Sequence, residues 1–274
     1  MTCRKSSTAI AQIALLLFSS ALYAQQAKTP TLEEILQRLD ANLNRYDTRL
    51  PSLFCDEHVV SQVQPGQRSE DTITDSVFRL RRTPNADHTT TLVESREIRK
   101  VNNKPPTSQN MDGPTMLSGA FEGALAVVSL KQTACMHYEL QPINPKNPTT
   151  PYVIRFSTTQ TTAACLLQED SHGRVTIDPA SMQIKRLELT TPDHTVVRGD
   201  AFTTSVTGKR VITVDYAPIL LGGETFWMPA IIAMRTTTGG GFHRLVWSFR
   251  ATYRNYHKME VTSRILPSSE STPQ

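Results

Sequence analysis

From Leu53 onward, this chain of 274 residues alternates between apolar and polar side chains with a period of two. Successive side chains of a strand point to opposite faces of a sheet, so this period predicts strands with one apolar and one polar face. Proline, glycine and asparagine interrupt the first alternating runs and predict turns between antiparallel strands. The runs and the turns that separate them are 53–63, Pro65-Gly66, 68–82, Pro84-Asn85 and 88–101.

The second half of the chain predicts further hairpins. Arg174 to Leu189 has the pattern of two strands joined by a tight turn at Asp178-Pro179. Gly222-Gly223 separates the alternating runs Arg210–Tyr216 and Thr225–Arg235 and is a strong hairpin signal. After Gly239-Gly240-Gly241 comes the clearest strand, which places these residues on one face: Leu245, Trp247, Phe249, Ala251 and Tyr253.

One helix precedes the strands. Thr31 and Glu34 form the spacing of a capping box, and Pro51 ends the helical pattern. The apolar side chains of the segment fall on one helical face: Leu32, Ile35, Leu36, Leu39, Leu43 and Tyr46. A helix with a single apolar stripe needs a surface to cover, and the predicted sheet supplies one.

These elements predict a mostly β (α+β) fold. A sheet of nine or ten antiparallel strands must curl to bury its apolar face, so we expect a large curved antiparallel sheet or unclosed barrel with the N-terminal helix on its concave face. No repeat or linker divides the chain, and we expect one domain over 25–266 and a disordered tail over 267–274. The connecting segments are predicted as follows: a loop at 102–114, a helix or lid from Ser118 to Leu130, and no central strand across the proline-rich residues 142–151.

The N-terminus has the pattern of a cleaved secretory signal peptide. Arg4 and Lys5 precede an apolar run from Ala9 to Phe18, which is too short to span a bilayer, and small residues lead to Ala24. We expect cleavage near Ala24 and a mature protein in the periplasm or outside the cell. Cys3 lies before the apolar run, so the arrangement that anchors lipoproteins is absent.

Removal of Arg4 and Lys5 lowers the formal net charge from +4 to +2. A net charge so close to zero does not favour nucleic-acid binding, which depends on concentrated positive charge. No later apolar stretch has membrane-spanning length, so we expect no transmembrane segment after cleavage.

Three cysteines remain after cleavage, and an oxidising compartment favours one disulfide and one spare thiol. We favour Cys135–Cys165, since both residues lie in the central β region, although Cys55 could equally be a partner of either. A loop of about 30 residues closed in this way stabilises a fold by roughly 3–4 kcal/mol.

The sequence contains none of the hydrolase, metalloprotease or phosphate-binding motifs, and we expect a non-enzymatic protein without cofactors. Asp56 and His58 share a strand face and could point two metal ligands together, although a solvated strand face explains them as well. Asp178 before proline is typical of a turn. Cys135 with His137 could pair a nucleophile with a base, but Cys135 is also the disulfide candidate.

The order of elements resembles the Lol-type outer-membrane lipoprotein carrier superfamily. The resemblance rests on the N-terminal amphipathic helix, the hairpin Arg174–Leu189, and the strand, glycine turn and strand from Val214 to Pro229. The closing strand with Tyr253-Arg-Asn-Tyr256 and Val261-Thr-Ser-Arg-Ile265 also looks like uncharacterised exported proteins of soil bacteria. The resemblance to the carrier superfamily covers residues 30 to 265 in outline and implies an unclosed β-barrel with helices as a lid. As a partner, it implies a lipid or a lipidated protein.

An apolar ligand would then lie against the aromatic side chains of the last strands. The candidates for the lining of such a cavity are Phe226, Met228, Trp247, Phe249 and Tyr253. The same residues could instead fill the core under the helix, which would make the chain a structural or interaction protein of the cell envelope.

Overall fold

A computed structural model of the chain describes residues 29–65, 70–84, 90–108, 124–143, 147, 149–197, 205–239 and 245–259. All its helices and strands lie within one unit, Thr31–Gln274. The predicted signal peptide (1–24) and tail (267–274) lie outside the described residues, as do residues 118–123 of the predicted helix or lid. In the described part of the chain, no helix is both long and apolar enough to cross a membrane.

Ten strands form one antiparallel sheet with the order β3-β2-β1-β10-β9-β8-β7-β6-β5-β4. Their bounds are β1 Leu53–Pro65, β2 Glu70–Pro84, β3 Thr90–Val101, β4 Met136–Leu140, β5 Tyr152–Thr158, β6 His172–Ile177, β7 Ile184–Val197, β8 Ser205–Leu221, β9 Glu224–Thr238 and β10 Leu245–Lys258. The first and last strands pair with each other in the middle of the sheet. Strands β3 and β4 are its two edges and do not pair in the described residues, so the sheet is not closed. The fold class predicted from the sequence is confirmed.

The turns follow the local sequence where glycine decides the geometry. Gly222 and Gly223 have φ of 60° and 87°, which a two-residue turn between β8 and β9 requires. The connection after β6 is longer than the predicted tight turn, because β7 does not begin until Ile184. Asp178 caps this longer loop by accepting hydrogen bonds from the backbone nitrogen and the hydroxyl of Ser181, both at 2.8 Å.

Helix α1 (Leu32–Arg49) begins at the predicted capping box. The Thr31 hydroxyl accepts from the Glu34 nitrogen at 3.2 Å, and the Glu34 carboxylate accepts from the Thr31 nitrogen at 2.8 Å. The helix ends at Leu50, just before Pro51, where Arg82 of β2 donates to the Leu50 carbonyl at 2.9 Å. A short 3₁₀ helix, Leu130–Gln132, precedes β4.

The hydrophobic core lies between α1 and one face of the sheet, which we call the inner face. Ile35, Leu36, Leu39 and Tyr46 of α1 are buried in it together with side chains from the strands. The alternation of β1 shows how the faces are divided, since Cys55, Glu57 and Val59 are buried whereas Asp56 and His58 are exposed. The opposite face, which carries Asp56 and His58, is called the outer face below.

Candidate functional site

Polar side chains of α1, beside its apolar face, attach the helix to the sheet and to the loop before β7. Arg45 forms an ion pair with Glu224 at 2.9 Å, and both side chains are about two-fifths exposed. The guanidinium of Arg45 also lies 5.7 Å from the centre of the Phe226 ring. About one turn earlier in the helix, the amide of Asn42 donates to the Met182 carbonyl at 2.7 Å. Beneath these contacts, the attachment of α1 is apolar.

A narrow apolar cavity, which we call the seam, lies between α1 and the sheet. Its volume is about 20 Å³, the space of roughly one water molecule. The residues that line it include Leu39, Leu43, Tyr46, Leu125, Val128 and Trp227. Most of the inner face under the helix is therefore filled by side chains in this conformation.

The structure brings four of the five predicted lining residues into one core. Phe226, Met228, Phe249 and Tyr253 are at most 6% exposed and belong to the cluster that includes the apolar face of α1. Trp247 is half-buried and lies outside that cluster; it pairs with Val63 of β1 and Thr236 of β9.

Trp227 is the lining residue that the alternation of the sequence missed. A period of two that places Phe226 and Met228 inward assigns Trp227 to the other face. The register of β8 and β9 shifts near this position, because Asp215 pairs with Ile231 whereas Tyr216 pairs with Pro229. Trp227 itself lies in the regular part of this ladder, opposite Pro218. It is half-buried, packs against the core and reaches the seam.

A charged network is buried at the β3 side of the inner face. The Arg96 Nε donates to both carboxylate oxygens of Glu57 at 3.0 Å, and the Ser76 hydroxyl donates to Glu57 at 2.6 Å. The Arg96 guanidinium also lies 4.9 Å from the centre of the Phe78 ring. Burial opposes the charge of Arg96, but the attraction of Glu57 outweighs it and raises the pKa of Arg96.

A second cluster holds the loop before β6 against β7 and β8. Glu169 pairs with His194 Nδ1 at 2.8 Å and with the Arg210 guanidinium at 3.0 Å, and it accepts from the Thr195 nitrogen. Burial opposes the charge of Glu169, yet the hydrogen bonds from Thr195 and His194 lower its pKa. The cluster thus stabilises the ionised carboxylate and fixes the loop.

The cysteines have separate roles. Cys135 and Cys165 form a disulfide across a sequence separation of 30, as the sequence favoured. Neither lies in a central strand, however, because Cys135 immediately precedes the edge strand β4 and Cys165 lies in the loop between β5 and β6. Cys55 is a free, fully buried thiol whose pKa is raised by burial.

The polar residues that the sequence suggested as metal ligands or catalytic groups have partners within the protein. His58 Nδ1 lies 2.7 Å from Asp75 Oδ1, and Asp56 accepts from the Asn255 amide at 2.8 Å. No group of three potential metal ligands occurs among the described residues. Hydrogen bonds from Ser181 lower the pKa of Asp178. Cys135 is committed to its disulfide.

Neither a protein-family model nor a curated protein matches the sequence. Three solved structures share 14%, 8% and 8% identity with the chain: a domain named for outer membrane lipoprotein sorting from Vibrio parahaemolyticus, a LolA superfamily protein from Nitrosomonas europaea, and a protein of a family of unknown function from Desulfovibrio piger. They cover 81%, 85% and 86% of this chain, and the chain covers 90%, 96% and 96% of theirs, with TM-scores of 0.35, 0.34 and 0.39. Because all three TM-scores lie below 0.5, no family, function or ligand is transferred from these structures to this chain.

Proposed function

We propose that the mature chain is a non-enzymatic binding protein of the periplasm or the cell exterior. In this proposal, it holds an acyl chain, from a lipid or a lipidated partner, between α1 and the inner face of the sheet. The observation that carries the proposal is the seam, where an amphipathic helix covers the apolar face of an unclosed sheet. The N-terminal signal pattern supports the location.

The attachment of α1 makes such an exchange energetically accessible. The ion pair of Arg45 with Glu224 is well exposed, and pairs of this kind contribute about 0–1 kcal/mol. Apolar burial therefore provides most of the attachment, at about 25 cal/mol per Å². An acyl chain that inserts between α1 and the inner face contacts both apolar surfaces, so it offsets part of the burial that each loses when the helix moves.

The small volume of the seam defines what binding requires. Ligand pockets usually measure about 300–1,000 Å³, far more than the roughly 20 Å³ found here. An acyl chain can enter only if α1 moves away from the sheet. The same observation favours the second candidate, a structural or interaction protein of the envelope whose core is permanently filled.

Displacement of a dansyl-labelled fatty acid distinguishes the two candidates. Leu43→Ala enlarges the seam and weakens the packing of α1, so we expect tighter probe binding than in the wild type. Leu43→Trp fills the seam and adds apolar contact to α1, so we expect weaker binding. Leu220→Ala and Leu220→Trp are matched controls, because Leu220 is 69% exposed. Absence of binding in the wild type and in Leu43→Ala would leave the filled-core candidate.

A further inference from the structure

The outer face carries a second, polar cavity that the proposed acyl site does not use. Its volume is about 640 Å³. We call it the outer pocket. Glu57, Ser76 and Thr252 line it together with six exposed or partly exposed charged or titratable residues: Asp56, His58, Asp75, Arg99, Lys100 and Arg254. They come from four adjacent strands in the order β3, β2, β1 and β10.

Two register shifts lie at the outer pocket. The pairing of β1 with β10 shifts between Phe54 and Asp56, and the pairing of β2 with β3 shifts between Asp75 and Ser76. Bulges bend a strand and re-aim its side chains, and they are common next to binding sites. They give an otherwise regular sheet face a depression at this place.

The carboxylates of the outer pocket each have a hydrogen-bond partner within the protein. Asp75 pairs with His58 at 2.7 Å, and Asp56 accepts from Asn255 at 2.8 Å. A carboxylate offers about four acceptor positions, so each retains capacity for another donor. These two groups lie on the inner strands of the pocket, β2 and β1.

Two cations of the outer pocket lack an ion-pair partner among the described residues, namely Lys100 and Arg254. Both are exposed, as is Arg99, which contributes to the lowered pKa of Glu97. The register places Arg254 opposite Asp56 and Lys100 opposite Asp75, yet neither cation closes on the carboxylate that faces it. The cations stand on the outer strands of the pocket, β3 and β10, about 14 Å apart at the usual strand spacing.

The outer pocket therefore has cations on its two flanking strands, which we call its walls, and carboxylates on the two strands between them, which we call its floor. Arginine and lysine bind phosphate oxygens through charge-assisted hydrogen bonds. The floor repels a bare anion but accepts hydrogen bonds from an amine or a hydroxyl. We propose that the outer pocket binds a small phosphorylated molecule that carries an amine or hydroxyl group, with its phosphate between Arg254 and Lys100 and its donor group on Asp56 and Asp75. The same chemistry occurs in free metabolites and in lipid headgroups.

Calorimetric titration with O-phosphoethanolamine tests the site. We expect saturable binding that is at least tenfold tighter than the binding of either inorganic phosphate or ethanolamine alone. The double variant Arg254→Gln/Lys100→Gln should weaken it at least tenfold, whereas Arg155→Gln, which changes an exposed arginine of β5, should leave it unchanged. Circular dichroism melting checks that each variant is folded.

Vesicle sedimentation then separates the two sources of the ligand. Binding to phosphatidylethanolamine vesicles that is lost in the double variant assigns the site to a headgroup, and binding of soluble O-phosphoethanolamine alone assigns it to a free molecule. The proposal is overturned if the wild type binds none of the probes, if Arg155→Gln weakens binding as much as the double variant, or if inorganic phosphate binds as tightly as O-phosphoethanolamine. Because the Leu43 variants change the inner face only, this result is independent of the acyl-binding test.

Discussion

At the scale of single residues, the ion pair of Glu57 with Arg96 is the costliest interaction to break. The Glu57 side chain is 1% exposed and that of Arg96 is 13% exposed, so neither charge can be solvated if its partner is lost. Removal of one member of a buried pair costs about 3–5 kcal/mol, whereas an exposed pair contributes little. Glu57 and Arg96 therefore hold the edge hairpin of β2 and β3 against β1 in one arrangement.

We expect Glu57→Gln to lower the free energy of unfolding by about 3 kcal/mol, because the buried Arg96 charge then keeps only Glu94, at 3.7 Å, as a counter-ion. Urea unfolding followed by tryptophan fluorescence measures the change. Glu97→Gln is the matched control: Glu97 pairs with Arg79 at an exposed position, and its loss should change stability little. Equal effects of the two substitutions would contradict this account of the network.

At the scale of elements, the disulfide fixes the segment around β4, the shortest strand and an edge of the sheet. It joins the residue before β4 to the loop after β5. Hydrogen bonds supplement it, since the Thr159 nitrogen donates to the Cys135 carbonyl at 2.8 Å and the Leu166 nitrogen donates to the Gln132 side chain at 2.9 Å.

We expect the double substitution Cys135→Ser/Cys165→Ser to lower the free energy of unfolding by roughly 3–4 kcal/mol. Without the disulfide, the unfolded chain regains the conformational entropy that a closed loop of about 30 residues restricts. Urea unfolding with and without a reductant provides the check. The reductant should destabilise the wild type by the same amount and leave the double variant unchanged. A double variant as stable as the oxidised wild type would refute this role.

The elements were predictable where a local pattern decides the structure. The capping box of Thr31 and Glu34 gave the start of α1, and Gly222-Gly223 gave a hairpin turn. The contact of Trp227 with the seam was not predictable by alternation, because it depends on how α1 packs against the sheet. The outer pocket was also missed, since its six residues meet only through strand pairing. Of these residues, the sequence singled out Asp56 and His58 as a possible pair of metal ligands.

At the scale of the whole molecule, buried tyrosines couple the stability of the fold to alkaline pH. Burial raises the pKa of Tyr138 from the ordinary 10.0 to about 12. Burial also raises the pKa of three tyrosines elsewhere in the core, namely Tyr216, Tyr253 and Tyr256. Their neutral forms are favoured by the folded state, so their contribution is fully present below the ordinary pKa and is lost as the pH rises through the raised one.

We therefore expect the free energy of unfolding to fall steadily between about pH 10 and about pH 12. Urea midpoints at a series of alkaline pH values measure this slope, and tyrosinate absorbance reports the ionisation. Tyr138→Phe removes one titrating group and should make the slope shallower. A stability that does not change across this interval would contradict the burial of these hydroxyls.

The whole-molecule question is whether the inner face ever exchanges α1 for a ligand. Of the five predicted lining residues, Phe226, Met228, Phe249 and Tyr253 belong to the core that α1 covers, a position compatible with both candidate functions. Packing alone cannot separate the candidates, since apolar surface attracts a helix and an acyl chain through the same hydrophobic effect. The two candidates differ in whether the exported protein carries a bound lipid.

Native mass spectrometry of the wild type and Leu43→Trp, each purified from the cell envelope without delipidation, tests the acyl-binding proposal most directly. The proposal predicts a wild-type population with the added mass of one lipid, which collisional activation releases, and a smaller bound fraction in Leu43→Trp. Wild-type protein that carries only its own mass, together with no displacement of the fatty-acid probe, would contradict it.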